Sequence, residues 1–390
     1  MQLSKNRILV THTGSLPRGE TLGNMLIDDE RGRPVDKRKL AAEIEQRVAH
    51  VLKKQAEAGV DIANDGEQGR VGFQTYIPQR ISGFGGASKR PFAKEFIEFP
   101  QFTAKMMGRI SHTGKVFDAP QAVGELRFND KQAILGEIEL LKGAAAAVTP
   151  RFTELFMTEP SPGIIATTML NAHYHSHEAY LDAIAREMRY EYQAVVKAGF
   201  VLQIDAPDKA MERVLLFQDK SETEFVKVVE QHVAALNKAL EGIPPDRVRL
   251  HVCWGNWEGP HIHDVPLTPL LPALYQAKVG GLAIELANHR RQHETAAFRK
   301  HKLPDHMVLL PGVIDSKSNF VEHPEVVAQR IEAAVAAVGD RERVIATSDC
   351  GFGTFAGWEW VTEDVVWAKL KTCRAGAELA SSRLWGKAGR

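Results

Sequence analysis

The chain has 390 residues, long for an ordinary domain but within the range of one α/β barrel with insertions. Lys plus Arg balances Asp plus Glu, so nothing in the charge points to nucleic acid or an anionic membrane as partner, and no apolar run reaches the ~18 residues of a membrane span. Three cysteines, Cys253, Cys350 and Cys373, are too few and odd in number for a disulfide framework; with an opening stretch that does not read as a secretory signal, they fit a reducing cytoplasm.

In chain order, "RILVTHT" at 7–13 predicts the first strand. "DKRKLAAEIEQRVAHVLKKQAEAG" predicts an amphipathic helix, and "GVDIANDGE" at 59–67 the second strand. From about 74 to 160 the pattern breaks, through "YIPQRISGFGGASKRPFAKEFIEFPQF" and a helical stretch near 129–147. This segment reads as a long insertion between strands two and three, a cap over the site. "GIIATTM" at 163–169 predicts strand three and "GFVLQIDAP" at 199–207 strand four. "RVRLHVCWG" at 247–255, "GGLAIELAN" at 280–288, "MVLLPGVID" at 307–315 and "RVIATSDCG" at 343–351 complete a set of eight. Helical stretches precede the fourth, fifth and eighth: "EAYLDAIAREMRYEYQAVVKAG", "SETEFVKVVEQHVAALNKALEG" and "HPEVVAQRIEAAVAAVG". Apolar strands alternating with helices of this length imply a parallel sheet covered on both faces. Eight such units predict a (β/α)8 TIM barrel over residues 1–390 as a single domain, with 74–160 inserted in it. A doubly wound open sheet is the alternative, weakened by the absence of a G-x-G-x-x-G turn after an early strand.

In a barrel of this kind chemistry sits at the carboxyl ends of the strands. The polar residues predicted there are Ser15, Asp65 with Glu67, Asp205, His251 with Cys253, Glu285, Asp315 with Lys317, and Asp349 with Cys350. His251 and Cys253 stand two apart, which on a strand places both side chains on one face. Alone, that pair reads as a packed histidine beside a buried thiol. Joined by Cys350 and Glu285 on the same rim, it reads as a zinc site, since Zn²⁺ accepts thiolate, imidazole and carboxylate in a tetrahedral shell. Ligands spread over separate strands suit a catalytic metal on a rigid scaffold better than a zinc finger. A shell with two thiolates is electron-rich; it suits holding a substrate thiol as a nucleophile more than sharpening a bound water.

These residues also carry a family resemblance. "HVC", "AIE" and "SDCG" resemble the zinc-ligand segments of the catalytic domain of cobalamin-independent methionine synthase. "THTGSLPR", "DGEQGR" and "LQIDAP" are similar to further segments of that family, in the same order along nearly the whole chain. The resemblance implies zinc held by His251, Cys253, Glu285 and Cys350, with Ser15, Glu67 and Asp205 holding the amino-acid part of homocysteine. It implies a cytoplasmic S-methyltransferase of methionine biosynthesis, resembling 5-methyltetrahydropteroylglutamate–homocysteine methyltransferase, with a small thiol and an alkyl donor as its partners. Two departures stand out. The family's full-length enzyme has an additional N-terminal barrel that helps bind polyglutamylated methyltetrahydrofolate, whereas this chain begins at the segment resembling the catalytic half, which leaves the donor open. The family's acid histidine follows strand seven, and "VIDSKSNFVEHPE" has Lys317 there, an expected catalytic residue that could donate a proton or pair with an anion. A related branch resembles epoxyalkane:coenzyme M transferase, for which Lys317, Arg18 or Arg70 could serve a sulfonate.

Several residues have simpler readings. Cys373 lies in a helical stretch and reads as structural; His261 and His263 read as surface or hydrogen-bonding histidines; His173, His175 and His177 line a rim or begin a helix. Asp315 and Asp349 read as residues that orient loops around the metal. The expected function is therefore zinc-dependent thiol alkylation, most simply methyl transfer to homocysteine. The alternatives are alkylation of another small thiol such as coenzyme M by an epoxide, a zinc hydrolase, and a zinc-binding barrel without activity. The oligomeric state is left open, a homo-oligomer included.

Overall fold

The structure, a computed structural model, describes residues 1–110 and 113–386. Eight parallel strands form one sheet: β1 (Leu9–Val10), β2 (Ile62–Ala63), β5 (Glu154–Pro160), β6 (Val201–Asp205), β7 (Val248–Val252), β8 (Gly281–Ile284), β9 (Val308–Ile314) and β10 (Ile345–Ser348). The order is β1-β10-β9-β8-β7-β6-β5-β2, so each strand after the second lies beside its predecessor and β10 returns to β1. At the remaining seam the Asp61 N–H donates to Val10 O (2.8 Å) and the Thr11 hydroxyl to Ile62 O (2.8 Å). The result is a nearly closed barrel, as the strand–helix alternation predicts.

The helices between the strands begin where the sequence supplies caps. Asp36 accepts from the Arg38 and Lys39 N–H groups to open Lys37–Glu57, and Ser221 and Glu224 form a reciprocal box at the start of Glu222–Ala239. His177–Lys197 and Pro324–Val338 fill the other predicted helical stretches. Inside the barrel, Leu9, Ile62, Phe156, Val201, Ala283, Val308, Leu310 and Ile345 make an apolar floor. Above it the filling is polar. Arg249 lies over the Phe156 ring at 3.7 Å and donates to Gln203 Oε1 (2.7 Å) and His12 O (3.0 Å).

Strand three differs from its prediction. "GIIATTM" is helical, in the Pro162–Thr168 helix, and the barrel strand is the preceding "ELFMTEP". Ser161 and Pro162 explain the helix. The Ser161 hydroxyl accepts from Ile164 N (3.1 Å), and proline suits a first helical turn because the missing N–H would have no partner there. The true strand carries Glu159, which interrupts its apolar run; that carboxylate is buried against Arg70 at 2.9 Å.

The segment expected as an insert over 74–160 therefore includes this strand, and also Lys131–Ala146, which packs as a helix between Lys37–Glu57 and His177–Lys197. Residues 111–112 of the segment lie outside the described residues. The elements outside the barrel pattern are an antiparallel pair, β3 (Ile81–Gly85) with β4 (Gln121–Phe128), and the helices Lys94–Glu98 and Pro100–Arg109. A buried charge network fastens the residues that lead into β3. Arg70 pairs with Glu137 (2.8 Å) and Glu159, Arg80 pairs with Glu191 (2.6 Å) and Glu137, and the Tyr76 ring lies between the two guanidinium groups at 4.5 and 4.4 Å.

Candidate metal centre and cavity

The carboxyl ends of the strands collect the polar residues named from the sequence. His251 sits within β7, and Cys253 follows its end by one residue. Cys350 follows β10 by two residues. Pairing of β7 with β8, of β8 with β9 and of β9 with β10 brings these ends onto one rim. One potential ligand atom from each of His251, Cys253 and Cys350 lies within 4.8 Å of the others, and all three residues are buried. Among the described residues this is the one such group of His, Cys, Asp or Glu side chains.

The three side chains shift one another's proton affinity. The Cys350 thiol bonds to Cys253, and with His251 this holds Cys253 well below the ordinary thiol range against the effect of burial. Burial, and then that same bond, push Cys350 up. Burial disfavours a charged imidazole, yet the bond to Cys253 and the nearby acidic groups outweigh it and raise His251. His251 Nδ1 is buried without a hydrogen-bond partner. Two neighbouring thiols beside an imidazole nitrogen with no hydrogen-bond partner are a donor set that fits a soft-tolerant divalent cation such as zinc.

Glu285 and Lys317 stand slightly apart. Glu285 follows β8 and is buried, and its charge is felt at both His251 and Cys253. Its carboxylate is outside the three-donor group. Oε1 accepts from Lys317 Nζ at 2.5 Å and Oε2 from the Trp254 N–H at 3.3 Å. Burial works against the Lys317 ammonium, but Glu285 and Cys350 hold its pKa above the ordinary lysine range. Asp349 ties the two strand ends together, its carboxylate accepting from the N–H groups of Leu286 (2.9 Å), Ala287 (2.7 Å) and Asn288 (2.7 Å). This is the loop-orienting place read for it from the sequence.

Ser15, Glu67 and Asp205 line one cavity of about 210 Å³ together with His251, Cys253 and Cys350. Glu67 is placed by its own turn: Asn64 Oδ1 accepts from Gly66 N and Asp65 Oδ1 from Glu67 N, both at 2.9 Å, with φ of 67° at Gly66 and 56° at Glu67. A left-handed backbone at a buried non-glycine residue is strain of the kind kept at functional sites. Glu67 Oε1 accepts from the Thr158 hydroxyl at 2.9 Å, and Oε2 is buried with no partner. Burial, and then the charge of Asp205, push Glu67 up to about 8. Burial likewise pushes Asp205 up to about 6, although Gln203 Nε2 donates to it at 2.7 Å. Two under-neutralised carboxyl groups facing one cavity make a receptor for a cation such as an ammonium group. Ser15 backs onto Gly351, where a β-carbon would collide with Ser15 Oγ.

The remaining sequence readings fall as follows. Arg18 donates to the carbonyls of Arg70 and Gly353, and Arg70 is committed to its glutamates, so neither lines the cavity. Cys373 is fully buried in the Glu363–Leu384 helix. His261 stacks on Trp257 (4.7 Å) and pairs with Asp264 (3.2 Å), and His263 pairs with Glu98 (2.6 Å). The sequence reading missed Thr158, which lies on the misplaced strand. It also missed Arg90, which lines the cavity while paired with Glu212. It missed the aromatic wall as well, although the density of rings in "KEFIEFPQF" and in "GFGTFAGWEW" directly after Cys350 was a signal for it.

Comparison with known proteins bears on this geometry. Residues 139–372 match the model of the cobalamin-independent synthase catalytic domain, a span from the helix before β5 to the last helix. The chain belongs to that family. Among relatives of this synthase family, methionine synthase of Thermococcus kodakarensis is 27% identical over 95% of this chain and 93% of its own. 2-Hydroxypropyl-CoM lyase of Xanthobacter autotrophicus is 24% identical over 79% of each, and the uncharacterized protein YxjH of Bacillus subtilis is 27% identical over 84% of this chain and 82% of its own. A solved B12-independent methionine synthase from Shewanella sp. W3-18-1, in complex with selenomethionine, shares the fold with a TM-score of 0.71, 20% identity and coverage of 97% and 99%. No helix among the described residues of this synthase-family chain is long and apolar enough to cross a membrane.

Proposed function

We propose that this chain is a zinc-dependent thiol alkyltransferase, and that its favoured reaction is methyl transfer to the sulfur of homocysteine. The observation that carries the reading is that the His251–Cys253–Cys350 group and the Glu67–Asp205 pair open into the same cavity. The first group can receive a thiol and the pair beside it an ammonium group, and homocysteine carries both. Zinc held by the three donors would supply Lewis acidity that keeps an incoming thiol ionised at neutral pH.

The chain's own residues do the rest. Glu67 and Asp205 bind the substrate ammonium, which favours the ionised form of both and relieves their mutual repulsion. Ser15, in the turn against Gly351, is assigned to the substrate carboxylate. Glu285 would be the fourth donor to the metal, and Lys317, whose Nζ donates to Oε1 at 2.5 Å, is its counter-ion. In this reading Lys317 positions Glu285 and does not act as the proton donor, because its Nζ is bonded to Glu285 and it does not line the cavity.

The relative that acts in 2-hydroxypropyl-CoM chemistry supports a second reading, alkylation of coenzyme M. None of the three cations considered for a sulfonate lines the cavity: Lys317 pairs with Glu285, Arg70 with Glu137 and Glu159, and Arg18 donates to backbone carbonyls; the cationic side chain that does line it, Arg90, is neutralised by Glu212. The amino-acid thiol therefore ranks first. A hydrolase ranks below both, because two thiolate donors suit activation of a thiol better than of water. The test is cobalt-loaded protein titrated with each thiol. A visible-band change with homocysteine and none with coenzyme M supports the first reading, the reverse supports the second, and no response to any thiol removes the reading altogether.

A further inference from the structure

Much of the remaining cavity lining is aromatic. One wall runs Phe73–Phe355–Trp358–Phe117, with ring centroids 5.7, 5.5 and 6.0 Å apart in turn. The other is Phe96 set edge-on against Trp257 at 5.8 Å. Each wall joins rings from a loop following a barrel strand to rings from the segment between β2 and β5, and all six side chains line the one cavity.

The charges in the same cavity are one-sided. Glu67 and Asp205 have no cationic partner within hydrogen-bonding reach, while Arg90 is cancelled by the buried Glu212. A divalent ion would just balance the two cysteine thiolates, and a bound amino-acid thiolate adds its sulfur and carboxylate against one ammonium. The loaded site is therefore negative, and an aromatic lining adds the negative faces of its rings. Such a wall disfavours an anionic second substrate and attracts a compact cation.

The chemistry of the leaving group agrees. Among the described residues lining the cavity, the only carboxyl groups are Glu67 and Asp205, assigned to the substrate ammonium, and Lys317 is held by Glu285 outside it. No other carboxyl lines the cavity to protonate a departing group, and Glu95, next to the Trp257 ring, accepts from Trp257 Nε1 at 3.1 Å without being one of the lining residues. We propose that the second substrate is a compact onium methyl donor, a sulfonium or quaternary ammonium cation seated between the Phe73–Phe355–Trp358–Phe117 and Phe96–Trp257 walls. This rests on the thiol-alkylating reading above. In the step, the substrate sulfur forms a bond to the methyl carbon while the bond from that carbon to S⁺ or N⁺ breaks. The electron pair goes to the departing heteroatom, which leaves as a neutral thioether or tertiary amine and needs no proton. The proton of the thiol has already been released on binding.

The test compares choline with its neutral isostere 3,3-dimethylbutan-1-ol, binding to zinc-loaded full-length protein in the presence of homocysteine and followed by tryptophan fluorescence. Choline is expected to bind at least about tenfold more tightly, and Phe355→Leu and Trp358→Leu each to reduce that preference to about threefold or less. Equal or tighter binding of the neutral alcohol overturns the proposal. A second arm offers trimethylsulfonium and a small epoxide to the homocysteine-loaded enzyme. Methylation by the sulfonium supports the proposal. Alkylation by the epoxide alone overturns the donor class but leaves thiol alkylation standing, whereas no response of the metal to any thiol defeats the underlying reading instead.

Discussion

Replacing Glu67 by glutamine should make the substrate-free protein more stable and the enzyme worse. The carboxyl has an ordinary value of 4.5 and is pushed up to about 8 by burial and by Asp205. A carboxyl whose pKa is higher in the folded chain binds more protons folded than unfolded between those two values. Stability therefore falls as pH rises through that window, and the loss is complete above about 8. A rise of this size corresponds to roughly 2–5 kcal/mol once the group is ionised. Glutamine keeps an oxygen for the Thr158 hydroxyl and removes the charge that faces Asp205. The assay is thermal unfolding of zinc-loaded Glu67→Gln and parent protein between about pH 5 and about pH 9, without thiol. The variant's advantage should be small at the acid end and grow steadily toward the alkaline end. Homocysteine affinity, measured by calorimetry at neutral pH, should fall about tenfold or more with the loss of a charge-assisted hydrogen bond. A variant that gains nothing with rising pH, or that binds homocysteine as the parent does, refutes the assignment of Glu67 as a strained cation receptor.

Other substitutions probe the neighbouring parts. Cys253→Ser and Cys350→Ser should each abolish stoichiometric zinc, as read by metal analysis of the purified variants; one zinc per chain retained in either removes that residue from the shell. Gly14→Ala places a β-carbon 2.6 Å from Thr158 Cγ2 and 2.8 Å from Glu67 Oε1, at a φ of 126° that suits glycine. It should weaken homocysteine binding while leaving zinc content intact, and loss of zinc with unchanged thiol affinity would contradict that placement.

How far the sequence reads toward the site depends on what each residue is for. The barrel was legible because buried parallel strands need apolar runs and the outer helices need amphipathic ones, and both periodicities survive in segments such as 199–207 and 221–242. The His251–Cys253–Cys350 group was legible because strand ends share a rim, so residues about 100 positions apart, Cys253 and Cys350, meet by topology alone. Strand three was not, because Glu159 serves the charge network that anchors the residues leading into β3, and its polarity hides an otherwise apolar strand. "GIIATTM" misled in the opposite direction: its β-branched residues matter less than the Ser161-Pro162 start in front of them. The Lys317–Glu285 contact and the pairing of aromatic walls were beyond reach, since both join side chains from separate loops whose spacing in sequence carries no trace of their distance in space.

X-ray absorption at the zinc edge, before and after addition of homocysteine, tests the central claim most directly. The account predicts one zinc per chain with two sulfur neighbours at about 2.3 Å and light-atom ligands completing the shell, becoming three sulfurs when the thiol binds. A chain that holds no zinc, or a sulfur count that stays the same at saturating homocysteine, would contradict it.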